Sequence, residues 1–126
     1  MIAFSSSLSI YLCCRCVDMR KSFDGLCGEV RNYMGQEPTS GSLFLFINRR
    51  RDRAKILVWD RTGFWLLYKR LEEGRIELPA TAGNMSSVAP VGYEHLVMML
   101  EGIDRGTARF RRRYTMKNHN ILCLDR

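Results

Sequence analysis

The patterns that carry chemistry are scarce in this chain. Its five cysteines, Cys13, Cys14, Cys16, Cys27 and Cys123, form no C-x-x-C pair, and its two histidines, His95 and His119, lie far from them. A structural zinc site takes four ligands, usually as two close pairs, so no metal is expected. An odd cysteine count with Cys13, Cys14 and Cys16 crowded together is also a poor disulfide framework, and reduced thiols fit a cytoplasmic protein. No Walker loop or G-x-G-x-x-G cradle for phosphates occurs. Neither histidine is placed as a base beside a serine or cysteine nucleophile. Asp18, Asp24, Asp52 and Asp60 are carboxylates of the type a two-metal nuclease uses, but three of them fall at helix-cap or turn positions. The expectation is a non-enzyme without a cofactor. The N-terminal MIAFSSSLSIYLCC lacks the basic region and cleavage site of a secretory signal, and no apolar run approaches the roughly 18 residues of a membrane span.

What is abundant is positive charge. The chain has 126 residues with a formal net charge of +7, 46% hydrophobic and 26% charged residues. That is ordinary globular composition for one domain. The charge favours nucleic acid, an acidic protein or an anionic membrane as partner without choosing among them. Its placement is more telling. Residues 1–48 balance four bases against four acids, whereas residues 49–75 carry nine bases and four acids. Residues 76–104 carry only four acids, and residues 105–126 carry seven bases and Asp125.

Short apolar runs punctuated by turns predict strands at 8–14, 41–48, 54–59, 64–71 and 75–78. DRTG at 60–63 has the residue choice of a type I turn, and 80–89 reads as a loop. Phe23, Leu26, Cys27, Val30, Tyr33 and Met34 recur on one face of a helix near 20–34, with Asp18 or Ser22 to cap it and Gly35 to stop it. A second helix near 91–101 has Pro90 at its first position and Tyr93, Leu96, Val97, Leu100 and Ile103 on one face. The fold class expected is α+β, an antiparallel β-meander of about four to five strands with two packed helices. It would form a single domain over 1–104, followed by a basic, mobile tail over 105–126. Central strands that are apolar at nearly every position predict a sheet covered on both faces. One face would take both helices, and the first strand, the tail or a second copy of the chain would cover the other.

The basic residues concentrate at turns. Arg49, Arg50 and Arg53 lie in one hairpin loop, and a meander brings Arg75 to the same sheet edge. Lys69 and Arg70 make a second patch. Guanidinium forks match phosphate oxygens in pairs, so this edge is the candidate nucleic-acid surface. The alternative is a solvated loop that protects an exposed hairpin from aggregation.

The segments VDMRKSFDGL at 17–26, GSLFLFINRRRDRAKILVWD at 41–60, GFWLLYKRLEEGRIELP at 63–79 and MLEGID at 99–104 together resemble one family. This is the TnpB accessory-protein family of the bacterial insertion sequences numbered sixty-six, distinct from the RNA-guided nuclease of the same name. The resemblance runs in order over about residues 9–104. It places Arg20, Lys21 and Lys55 among the matching positions and adds them to the candidate nucleic-acid set. Ser22, where the family has glycine, and Leu78, where it has an aromatic, depart from the pattern. The resemblance implies a non-catalytic role in transposition beside a larger transposase, with insertion-sequence ends, the transposase and other element-encoded proteins as partners. No membrane partner is expected, and the apolar central strands leave room for a homo-oligomer. Two functions follow: a DNA-binding factor, or a subunit that docks on the transposase with little DNA affinity of its own.

Overall fold

The structure is a computed structural model, described here for residues 8–79, 86–101, 103–104 and 109–110. Strand β1 (Ile10–Cys13) leads into helix α1 (Phe23–Gly28), which continues as a π-helical turn over Glu29–Tyr33, and a short 3-10 turn covers Pro38–Ser40. Strands β2 (Leu43–Ile47), β3 (Arg53–Trp59) and β4 (Phe64–Arg70) follow, then β5 (Val88–Pro90) and helix α2 (Tyr93–Glu101). Short strands β6 (Ile103–Asp104) and β7 (Arg109–Phe110) pair with each other. The rest of the 105–126 segment lies outside the described residues.

The five-stranded sheet has the order β4-β3-β2-β1-β5. The class is α+β and the sheet mostly antiparallel, as expected, with one parallel pair between β1 and β2. Parallel neighbours need a crossover of a dozen or more residues, and here the crossover carries α1. The first strand therefore lies inside the sheet and does not cover a face.

Strand alternation sorts the core into two layers. Leu43, Leu45 and Ile47 point to one face with Ile56, Val58 and the α2 residues Leu96 and Met99. Phe44 and Phe46 point to the other with Leu57, the α1 residues Leu26 and Cys27, Val30 of the π-helical turn and Met34 at its end. All five β2 residues are buried, so both faces of the sheet are indeed covered. The two helices lie on opposite faces, however, because each packs against a different alternate set of the same strands. On α2 the buried pair is Leu96 and Met99, with Tyr93 and Leu100 partly buried beside it.

Other local expectations change for identifiable reasons. Ser22 occupies the cap position of α1 but its side chain makes no cap bond; Asp18 Oδ1 instead accepts from Arg20 N in the turn before the helix. Gly35 stops the helix as expected, at φ 69°, with Gln36 N donating to Val30 O. The turn at 60–63 has φ 89° at Arg61, which a type I turn does not allow. A positive φ at the first central residue gives the twist that suits a tight hairpin. Residues 75–78 form no strand, although Ile76 is buried. Of the loop expected at 80–89, residues 80–85 lie outside the described residues and Val88–Ala89 belong to β5, an edge strand that tolerates Pro90 where a central strand would not, so Pro90 does not open α2.

Candidate nucleic-acid interface

The arginine loop is held by its own side chains. Arg51 N donates to Asn48 O, closing a turn, and Asn48 Oδ1 accepts from both Asp52 N and Arg53 N. Asn48 Nδ2 in turn donates to Asp52 Oδ1 at 2.8 Å. Arg51 sits at φ 61°, a left-handed conformation that costs a non-glycine residue roughly 1–2 kcal/mol. The loop is thus a defined shape and not a slack connection. The next turn is fastened to it: Leu71 N donates to Asp52 O at 2.7 Å and Ile76 N to Arg51 O at 2.6 Å. These two bonds bring the 71–76 segment, and Arg75 with it, to the edge that carries Arg49 and Arg50.

The segment before α1 reaches the same edge. Val17 N donates to Ile47 O at the end of β2. Residues 16–19 and the loop residues Asn48, Arg49, Arg50, Asp52 and Arg53 then form the walls of a cleft of about 590 Å³. The arm before α1 and the arginine loop, some thirty residues apart in sequence, therefore face one concavity, with Arg20 and Lys21 following the arm residues that line it.

The basic residues around it are in different electrostatic states. Arg20 is gripped by Asp18, with Nη2 to Oδ2 at 2.7 Å and Nε to Oδ1 at 3.1 Å. That guanidinium holds the Asp18 carboxyl down to about 2. Lys21 Nζ and Arg15 Nη2 each lie 2.9 Å from the buried Glu29 carboxylate. Burial alone would raise the pKa of Glu29, but the hydrogen bonds from Lys21 and Arg15 outweigh it and leave it below the usual range. Gly25 makes room for this arrangement, since a Cβ there would meet Lys21 Cβ at 3.2 Å. Arg70 pairs with Glu72 at 2.8 Å. Arg49 and Arg50 are exposed and have no ion pair among the described residues.

Lys55 does not belong to this surface. It is 6% exposed, and its ammonium donates to Met19 O and Lys21 O at 2.8 Å each while lying 4.7 Å from the centroid of the Tyr68 ring. Its position on β3 puts it on the α1 face, between Phe46 and Tyr68 in register. A lone lysine within an apolar strand run was the signal of an inward role. Lys69, on the opposite face of β4, donates to Leu100 O near the end of α2 at 2.9 Å. It closes a helix carbonyl rather than joining Arg70 in a patch. Arg53 lines the cleft and donates from Nη1 to Tyr68 Oη at 3.2 Å.

The remaining candidate groups are structural. Asp60 accepts from Trp65 Nε1 at 2.6 Å, which holds its carboxyl below the usual range with help from the backbone of Thr62 and Gly63. Burial pushes the Cys13 thiol up to about 11, the behaviour of a core residue. Among the described residues no group of histidines, cysteines and carboxylates is arranged to hold a metal. None of their helices is long and apolar enough to cross a membrane.

A family model described as IS66 Orf2 like protein matches residues 8–110. The chain belongs to the IS66 Orf2-like family. Two curated proteins of Sinorhizobium fredii (strain NGR234), the uncharacterised y4jC and y4hO, are 30% and 29% identical to it over 104 residues. Each alignment spans 82% of this chain, with 86% of y4jC and 88% of y4hO. No solved structure matches. The IS66 match continues past Asp104 through Arg109–Phe110, the strand that pairs with Ile103–Asp104.

Proposed function

We propose that this IS66 Orf2-like protein is a non-catalytic accessory factor of transposition that contacts insertion-sequence DNA through the cleft edge. One observation carries the reading. Residues 16–19 of the arm before α1 and Asn48, Arg49, Arg50, Asp52 and Arg53 of the loop, separate in sequence, meet on one concave surface whose rim carries Arg49 and Arg50 without acidic partners among the described residues. Arg53 and Arg75 extend that rim, while Arg20, Lys21 and Arg70 stand near it with part of their charge offset. Guanidinium groups on a rigid loop suit phosphate oxygens, and such contacts give position rather than sequence choice. The cytoplasm, where the element's DNA and transposase are found, is the compartment this reading requires.

A second reading, docking on the transposase, is favoured by Trp65, which is 40% exposed on the edge strand β4. Electrophoretic shift of element-end DNA across a salt series, with and without the transposase, separates the two. If the cleft edge contacts about four phosphates, the protein alone should shift DNA with affinity falling about a hundredfold between roughly 50 and 200 mM salt. A shift that appears only with the transposase would instead make docking the function.

A further inference from the structure

Beside the cleft, an aromatic ring is exposed and yet held in place. Tyr68 is 50% exposed on β4, so it contributes little to the core. Its ring lies 4.7 Å from the Lys55 ammonium, and its hydroxyl accepts from Arg53 Nη1 at 3.2 Å. The same ammonium holds the carbonyls of Met19 and Lys21, so one buried cation ties the pre-helix arm to the ring. Arg53 in turn belongs to the wall of the cleft. A strand whose phosphates follow the cleft edge would therefore pass a pre-positioned aromatic surface.

We propose that this face takes single-stranded nucleic acid, with an unpaired base stacking on Tyr68 while Arg49, Arg50 and Arg53 hold the adjoining phosphates. The inference rests on the DNA-contacting reading above and narrows it. In a duplex the base faces are already stacked on one another and present only edges and backbone. An exposed ring among phosphate-binding groups has a stacking partner only where bases are unpaired. Fixing the ring in advance lowers the ordering cost of binding. Stacking tolerates any base, so the preference is for strandedness and not sequence.

The test is fluorescence anisotropy with labelled strands of about 12 nucleotides. The strands are oligo-dT, the same strand with abasic sites, oligo-U RNA and a duplex of equal length. Wild type, Tyr68→Ala and Tyr68→Phe are compared after circular dichroism confirms that each is folded. Tyr68→Ala should weaken oligo-dT binding by about 5- to 150-fold while duplex binding changes less than about twofold. Tyr68→Phe keeps the ring and should stay near wild type. Wild type should lose a similar factor on the abasic strand, a measurement independent of any variant. The RNA arm identifies the source of the strand, since stronger binding to oligo-dT or to oligo-U assigns it. Equal loss on strand and duplex, or an abasic strand bound as tightly as oligo-dT, overturns the proposal while leaving DNA contact intact. If wild type binds neither strand nor duplex, the DNA-contacting reading falls with it.

Discussion

Two arginine-bearing segments meet at the cleft, and they use their charge differently. In the arm before α1, Arg20 is matched by Asp18 and Lys21 by Glu29, and the arm's own carbonyls are held by Lys55. In the loop after β2, Arg49 and Arg50 have no ion pair among the described residues, while Asn48 and Asp52 hold the backbone beneath them. The arm's cations are matched within the protein, whereas Arg49 and Arg50 carry no ion pair among the described residues. Equal composition therefore does not mean equal availability. On the proposed reading, an anion approaching the arm would compete with carboxylates already in place, and one approaching Arg49 and Arg50 would meet no such competitor among the described residues.

The largest effect that would test this division is on Lys55. Replacing it by Met keeps the stem but removes the ammonium, leaving the part-buried carbonyls of Met19 and Lys21 without this donor. A fully buried stranded acceptor costs about 1–3 kcal/mol, and these two are only part-buried, so the low end applies to each and Lys55→Met should lose roughly 2–4 kcal/mol in urea denaturation. A loss under about 0.5 kcal/mol would show that the arm is held by something else.

Next comes Glu29, the carboxylate shared by Lys21 and Arg15. Glu29→Gln should cost about 1–2 kcal/mol at neutral pH, less than a fully buried pair because both cations are half in water. The pH dependence has a definite sign. The folded-state pKa of Glu29 lies below its ordinary value, so its stabilisation is present above that ordinary value, near 4.3. It is lost as pH falls through the lower folded value. Asp18, held down by Arg20, titrates in the same acid limb, so the informative quantity is the difference between variant and wild type. Glu29→Gln should show a shallower loss of stability between about pH 5 and pH 3. Parallel curves in that window would mean that the Lys21 and Arg15 contacts contribute nothing to folding.

The contrast between arm and loop also marks how far the sequence could be read. The hairpin from β3 to β4, the apolar face of α1 through Leu26 and Val30, and the meeting of the 71–76 turn with the arginine loop were all legible. Each follows from contacts close in sequence or from strict alternation. The parallel pairing of β1 with β2 was not, because register between strands some thirty residues apart leaves no local trace. The same holds for α2, whose apolar face says that it packs but not on which side of the sheet. Lys55 was misplaced for a related reason. Its charge suggested a surface, and only the three-dimensional meeting of the arm's carbonyls with the Tyr68 ring supplies the partners that let an ammonium be buried. For Arg20 and Lys21 the motif was visible but the neutralising acids were not weighed: Asp18 is two residues before Arg20, and Glu29 is eight after Lys21.

The smallest effect on stability belongs to the loop, and it is the one that separates shape from contact. Arg49 and Arg50 are exposed and unpaired among the described residues, and the loop's backbone is tied by Asn48 and Asp52 without them. Replacing both by Ala should therefore change unfolding free energy by no more than about 0.5 kcal/mol. Binding should respond quite differently. Each duplex phosphate neutralised contributes a log–log salt slope of about −0.9, so losing two such contacts should flatten the slope by roughly two. Phosphates are common to every sequence, so the weakening should be uniform across DNA targets. Arg20→Ala gives the internal comparison. Its guanidinium is already matched by Asp18, so its removal should flatten the slope by clearly less than one contact's share. If Arg20→Ala and the Arg49/Arg50 double variant flatten the slope equally per residue, the carboxylate partners do not decide which arginines a ligand can use. The distinction between a shaping arm and a contacting loop then fails.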